Sequence, residues 1–146
     1  MLISKRWLVG KGVSYSDLQW FYSQKSKDLN TLTKKLVKLD KLVLANWVVT
    51  KAMTRTQRSE YTRYSVGQTF DIIKKQFPKA LNQKQTLYYA KEYAKKPRSA
   101  SAAFAYGAAY CACITYRIAG ASNAAASAFK AKLILNGLKI INKGGK

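Results

Sequence analysis

Apolar residues recur every three or four positions between residues 29 and 47, which is the spacing of one face of an α-helix. These residues are Leu29, Leu32, Leu36, Leu39, Val43 and Trp47. Lysines occupy the opposite side of the same predicted helix, at Lys34, Lys38 and Lys41. The pattern therefore predicts one amphipathic helix over residues 29–54, with a buried apolar stripe and a basic outer stripe.

The rest of the chain also has helical rather than strand-like periodicity. A second helix is predicted from Thr56 to Phe77, where Pro78 ends it, and a third from Ala80 to Lys96. Gly120 and the polar residues after it mark a break before the last helix. Because no alternation typical of strands occurs, we predict an all-α helical bundle of four to six helices.

The first 15 residues are predicted to form an extended basic N-terminal arm. Gly10 and Gly12 interrupt this stretch, which carries Lys5, Arg6 and Lys11. It has no continuous apolar run and no small-residue cleavage pattern, so we do not interpret it as a signal peptide.

The composition changes sharply towards the C-terminus. Residues 99–129 contain a single charged residue, Arg117. The uncharged run over residues 99–116 is long enough to raise the question of a membrane span. Ala, Ser, Tyr and Gly dominate it, however, and membrane insertion depends chiefly on Leu, Ile, Phe and Val. We therefore predict buried soluble helices and no transmembrane helix.

Small residues four positions apart in this stretch allow two helices to approach closely. These residues are Ala103, Gly107 and Cys111. A chain of 146 residues has too little other material to cover two uncharged helices, so neighbouring subunits are expected to cover them. The predicted organisation is one domain, residues 1–146. Residues 1–60 form a nucleic-acid-wrapping arm and helices, and residues 61–146 form a bundle whose small-residue-rich part, residues 99–146, mediates assembly.

The net charge points to a polyanionic partner. The chain has 27 Lys and Arg residues against six Asp and Glu residues, a formal net charge of +21. Duplex DNA carries one charge per about 1.7 Å of axis, so this excess would neutralise roughly 36 Å of duplex. Lysines outnumber the six arginines, and lysine lacks the planar fork that reads guanine edges. The balance favours phosphate neutralisation over sequence recognition.

The same composition excludes most catalytic and cofactor chemistry. The chain has no His and only two Cys, so it can build neither a His-dependent nucleophile nor a four-ligand zinc site. Cys111 and Cys113 point in different directions on a helix, and we interpret them as buried structural thiols. Tyr61 and Tyr64 lie among arginines, as in a tyrosine strand transferase, but the ten tyrosines of the chain make such a coincidence easy. These arginines and tyrosines either form a nucleic-acid-binding face or divide into core tyrosines and solvated arginines. We predict no cofactor, no metal and no enzymatic activity.

The overall layout resembles a family of viral coat proteins. A basic N-terminal region containing KKLVKLDKL (34–42) precedes a nearly uncharged region containing SASAAFAYGAAYCAC (99–113). In size, order and charge the chain resembles the major capsid proteins of filamentous and rod-shaped archaeal DNA viruses, of the rudivirus, lipothrixvirus and tristromavirus types. The likeness extends along the whole chain and has no signature motif.

This resemblance implies a structural protein of a helical virion, in which N-terminal helices wrap A-form double-stranded DNA. It also implies that copies of the chain pair with each other or with a related capsid chain as a heterodimer, in some members beneath a lipid envelope. Carried onto this sequence, the DNA-facing residues are Lys5, Arg6, Lys11, Lys34, Lys38, Lys41, Lys51, Arg55, Arg58 and Arg63. Basic residues at 74–96 and 130–146 depart from the family's division into a basic half and a neutral half.

Two other classes of protein stay open. A small cellular nucleic-acid-binding protein, of the chromatin or ribosomal type, would form discrete particles and carry mixed charge in its C-terminal half. A membrane-attached basic protein would bring residues 99–116 to lipid vesicles without nucleic acid.

Overall fold

The structure, a computed structural model, describes residues 1–76, 102–118 and 120–143. These residues form an all-α bundle, as the sequence predicts, with one isolated β-bridge between Leu2 and Asp28. The helix predicted over residues 80–96 lies outside the described residues. The described helices are α1 (Lys5–Gly10), α2 (Tyr15–Ser23), α3 (Leu29–Lys38), α4 (Leu42–Ala52), α5 (Arg55–Gln76), α6 (Ala102–Ile118) and α7 (Asn123–Lys143).

Polar side chains cap the first turns of five of the described helices. The Asp28 carboxylate accepts a hydrogen bond from the Thr31 backbone N–H at 3.0 Å at the start of α3. At the start of α5, Thr54 and Gln57 form a reciprocal capping box, in which each side chain accepts from the other's backbone N–H. Helices α1, α2 and α7 each begin with a serine whose hydroxyl accepts a hydrogen bond from the backbone N–H three residues later. These serines are Ser4, Ser14 and Ser122. These short-range signals decide where the helices begin.

The prediction of a single helix over residues 29–54 is wrong, because this segment forms two helices. Asp40 has φ 55°, the left-handed conformation that Asp tolerates better than most residues. The Lys41 N–H donates to the Leu36 carbonyl at 2.9 Å and the Asp40 N–H donates to the Val37 carbonyl at 3.1 Å. This pair of bonds is a Schellman motif, which ends α3 and turns the chain before α4. The described residues therefore contain seven helices, more than the four to six predicted.

The turn changes which apolar residues are buried. Leu29, Leu32 and Leu36 are at most 1% exposed, as the stripe predicts. On either side of the turn, Leu39 is 50% exposed and Val43 is 57% exposed. The predicted stripe is therefore fully buried along α3 only, and Trp47 of α4 packs against the core while half-buried.

Helix α4 lies at the centre of the bundle, where it packs against α3, α6 and α7. Val48 and Val49 on α4 and Leu133 on α7 are fully buried. Tyr61 of α5 is also fully buried, and its hydroxyl donates to the Asn46 Oδ1 at 2.9 Å. The core therefore joins the N-terminal and C-terminal parts of the chain, and residue 60, the proposed limit between them, falls within α5.

The N-terminal residues fold back onto the bundle, whereas the sequence predicts an extended arm. Ile3 and Leu8 are 3% and 2% exposed. The Ile3 N–H donates to the Lys27 carbonyl at 2.8 Å, and the Leu29 N–H donates to the Met1 carbonyl at 2.9 Å. Burial of these two apolar side chains offsets part of the entropy lost when the segment is ordered.

The chain breaks at Gly120 before the last helix, as predicted, and α6 and α7 pack against each other. Gly120 has φ 114°, a conformation that is strained for residues with a Cβ atom. The buried side of α6 consists largely of alanines, with Ala105 and Ala109 fully buried. Within the described ranges, no helix is both long and apolar enough to cross a membrane.

Candidate nucleic-acid interface

Helix α3 separates its apolar and basic residues cleanly. Lys34 and Lys38 are exposed on the side opposite the buried Leu32 and Leu36. They are one turn apart, which places their Cα atoms about 6 Å apart along the axis. Within the described part of the chain, neither ammonium group has a carboxylate within 4.0 Å. This face presents two adjacent positive charges to solvent.

Aromatic side chains of α2 lie beside lysines from other helices. The Lys5 Nζ of α1 lies 5.3 Å from the centroid of the Tyr22 ring. The Lys41 Nζ, at the start of α4, lies 5.5 Å from the Trp20 ring centroid. A cation over an aromatic face is attracted by about 0.5–1 kcal/mol at exposed sites. Lysines distant in sequence are thus positioned on either side of one aromatic helix.

Two of the predicted phosphate-binding residues make contacts within the fold. The Arg58 Nε donates to the Thr50 carbonyl at 3.1 Å, near the end of α4. Carbonyls in the last turn of a helix have no hydrogen-bond donor within that helix, and Arg58 supplies a donor to this one. Lys51 is half-buried, with its Nζ 5.8 Å from the Trp47 ring centroid. These contacts give both side chains a structural role at the junction of α4 and α5.

The remaining predicted cations lie at the surface and do not converge on one point. Arg6 on α1 and Arg55 and Arg63 on α5 are exposed, and Lys11 is half-buried after α1. The ten predicted cations therefore come from α1, α3, α4 and α5, and only some of them share a face.

The tyrosines near Arg63 do not form a surface cluster with the arginines. Tyr61 is fully buried, and burial raises the pKa of its hydroxyl well above the usual range. Burial also raises the pKa of the half-buried Tyr64. The interpretation that these tyrosines pack in the core is therefore correct for Tyr61.

Lys27 was not among the predicted residues, although it lies beside them. Its Nζ donates to the carbonyls of Phe21, Tyr22 and Gln24 at 2.7–2.9 Å. A positive charge at this helix end is favoured by the helix dipole. The same ammonium lies 5.8 Å from the centroid of the Tyr22 ring, which the Lys5 ammonium also contacts.

The small residues of α6 are divided between the core and the surface. The surroundings of Gly107 are open, since a Cβ atom built there meets nothing within 4 Å. Cys111, one turn later, is exposed, so the prediction that it is a buried thiol is wrong for the isolated chain. The side chain of Ala103, the third predicted packing residue, lies outside the described residues.

Cys113 is buried, as predicted. Burial raises the pKa of its thiol to about 11, and the positive charge of Lys130 opposes that rise only in part. Since the thiolate is the reactive form, Cys113 is expected to react slowly at neutral pH. Both cysteines are free thiols.

Acidic residues are few, and several are engaged in helix caps. Asp17 accepts a hydrogen bond from the Ser14 hydroxyl at 2.7 Å, and Asp28 caps α3. Asp28 also pairs with the N-terminal amine at 3.6 Å. In residues 1–76, 102–118 and 120–143, no group of three or more His, Cys, Asp or Glu side chains could hold a metal ion. With 27 cations and six acids in the chain, at least 21 cations have no acid available for one-to-one pairing.

Together, the fold and this surface define a small, strongly basic all-α protein with an exposed lysine face. Comparisons with protein-family models, curated proteins and solved structures found no match to this chain.

Proposed function

We propose that this chain is a structural nucleocapsid protein. It wraps double-stranded DNA without regard to sequence and neutralises its phosphates in a helical virion. The observation that carries the proposal is the exposed basic face of α3, with Lys34 and Lys38 opposite a fully buried leucine stripe. Because lysine is a mobile point charge, such a face suits phosphates of any sequence.

The large charge excess supports an assembly in which DNA supplies the counter-charge. A chain with a net charge of +21 repels its own copies at moderate salt. Bound DNA removes that repulsion, and the released counterions favour binding. The role proposed is structural rather than enzymatic. The partners proposed are double-stranded DNA, further copies of this chain and a related capsid chain, with a lipid envelope as an additional layer.

Electron microscopy of the purified chain, with and without duplex DNA of a few hundred base pairs, tests the proposal. We expect regular filaments whose length follows the length of the DNA. Discrete particles, or salt-sensitive binding without regular assembly, would contradict a nucleocapsid role and favour a chromatin- or ribosomal-type protein. Binding to lipid vesicles without DNA would favour a membrane-attached protein.

The open surface at Gly107 is proposed as a subunit-packing face together with Ala103 and Cys111. Gly107→Leu is expected to prevent filament formation, because the larger side chain holds neighbouring helices apart. The free subunit should keep its fold, since a Cβ atom at this position meets nothing within 4 Å. Gly67→Leu is the matched control, because Gly67 also lies within a helix and has open surroundings.

Alkylation of Cys111 gives an independent readout of the same face. The exposed thiol should react in the free wild-type subunit and be protected in filaments, whereas it stays reactive in Gly107→Leu with DNA present. Normal filaments from Gly107→Leu, or an unprotected Cys111 in wild-type filaments, would exclude this face from the subunit contact.

A further inference from the structure

A groove lies between the turn after α1, the starts of α2 and α4, and the first half of α7. Its volume is about 640 Å³. Val43 and Trp47, from the predicted stripe, lie along it. Val43 is 57% exposed and Trp47 is half-buried. Exposed apolar side chains gathered in a groove commonly mark a site of protein contact, and aromatic residues are enriched at the centre of such contacts.

The charge of the groove differs from that of the rest of the chain. Its charged lining residues are two aspartates and two lysines, Asp17, Asp40, Lys41 and Lys130. The lining is therefore neutral in formal charge, whereas the whole chain has 27 basic and six acidic residues. Lys130 is only 9% exposed, and the Lys41 ammonium lies against the Trp20 ring. The carboxylates make the groove a poor surface for DNA phosphates.

We propose that this groove binds a basic surface of a second copy of the chain. Contact between two typical surfaces of this chain brings like charges together, which costs several kcal/mol. The neutral groove avoids that cost, and burial of Val43 and Trp47 stabilises the contact. The proposal deepens the nucleocapsid role and rests on it, because it identifies where one subunit holds the next.

The geometry of such a contact favours a filament. A neutral apolar groove and a basic surface are different patches of the same chain, so their contact is head-to-tail. Head-to-tail contacts produce rings when their rotation closes and open helical filaments when it does not. The groove would therefore join successive subunits along the filament. The Gly107 face would form a different subunit contact.

Val43→Lys tests the proposal, with Val9→Lys as its matched control. Val9 on α1 is 56% exposed and does not line the groove, so both variants add one positive charge at an equally exposed valine. We expect Val43→Lys to raise the protein concentration needed for assembly by about tenfold, while Val9→Lys changes it by less than about twofold. Light scattering and sedimentation velocity, with and without long duplex DNA, measure this concentration. Far-UV circular dichroism confirms that both variants are folded.

Asp40→Asn is a second variant that does not alter the size of the side chain. Asn also tolerates the positive φ of residue 40, so the turn between α3 and α4 is retained while one carboxylate is removed. We expect weaker assembly than in the wild type. Assembly of Val43→Lys equal to that of Val9→Lys, or of Asp40→Asn equal to that of the wild type, would overturn the proposal.

Binding to a duplex of about 10 base pairs, one helical turn, separates this proposal from the nucleocapsid role. Normal binding of Val43→Lys to the short duplex, with loss of assembly, supports the groove contact. Tighter binding of Val43→Lys to the short duplex, with assembly no weaker than that of the wild type, would place the groove in the DNA surface and overturn the proposal. Wild-type chain that associates through the groove but binds no DNA would sustain this proposal and exclude the nucleocapsid role. Wild-type chain that associates neither with nor without DNA would contradict both.

Discussion

Reversing the charges of Lys34 and Lys38 together, as Lys34→Glu with Lys38→Glu, is expected to abolish DNA-dependent assembly. The pair forms the exposed basic face of α3, and two glutamates there repel the phosphates that the lysines would bind. Helix content should not change, because Leu32 and Leu36 on the opposite side remain buried. Electron microscopy with duplex DNA and far-UV circular dichroism measure the two effects.

The size of the effect on binding can be estimated from counterion release. Each phosphate contact contributes about 0.9 to the slope of log affinity against log salt concentration. Neutralising the pair with Lys34→Gln and Lys38→Gln should therefore reduce that slope by about 2, and reversing the charges should weaken binding further. Fluorescence titrations at several salt concentrations measure the slope.

Lys139→Glu with Lys143→Glu is the matched control for this prediction. These two lysines are also exposed and one turn apart on α7, and Lys143 ends its helix as Lys38 ends α3. The change in net charge and the cost to the helix dipole are therefore similar, about 0.3–1 kcal/mol for the last residue. Assembly should persist in the control. An equal loss in both double variants would show that overall charge, rather than the α3 face, drives assembly.

Gly137→Ala is expected to destabilise the folded chain by about 1–2 kcal/mol. A Cβ atom at Gly137 would lie 2.8 Å from the Val49 Cγ1 and 3.1 Å from both the Met53 Cε and the Tyr61 Cε2. Val49 is fully buried and β-branched, so it cannot move aside easily. Because the 2.8 Å contact forces a shift, overpacking here should cost about 2–3 kcal/mol, the upper part of the usual range. Ala gains roughly 1 kcal/mol over Gly in a helix, which leaves a net loss of about 1–2 kcal/mol.

Gly67→Ala separates the clash from the change in helix propensity. Gly67 lies within α5 and is exposed, and a Cβ atom there meets nothing within 4 Å. This variant should be more stable than the wild type by about 0.5–1 kcal/mol. Urea unfolding followed by circular dichroism measures both variants. A Gly137→Ala chain as stable as the wild type would show that α4, α5 and α7 do not meet as closely as the structure places them.

Several local features could be read from the sequence because they depend on neighbouring residues. The buried face of α3 follows from the spacing of Leu29, Leu32 and Leu36, and its basic face follows from Lys34 and Lys38. The break between α6 and α7 follows from a glycine and a capping serine, Gly120 and Ser122. Helical periodicity and capping act over three or four residues, so a short stretch of sequence contains the whole signal.

The turn at Asp40 could not be predicted from the same periodicity. The apolar spacing continues across it through Val43 and Trp47, and no glycine or proline marks it. Helix α4 is apolar on almost every side, so its pattern does not indicate which side faces the core. The helices that pack against it decide this, and they bury Val48 and Val49 while leaving Val43 exposed.

The sequence by itself determined the helical class, the starts of α3, α5 and α7, and an excess of positive charge that requires a polyanion or another counter-charge. Tertiary structure alone decided which cations remain at the surface. It placed Arg58 against the Thr50 carbonyl and the Lys41 ammonium against the Trp20 ring. It also gathered Asp17, Asp40 and Val43 into one groove. The reason is physical, because burial and charge environment depend on residues that are distant in sequence and adjacent only after folding.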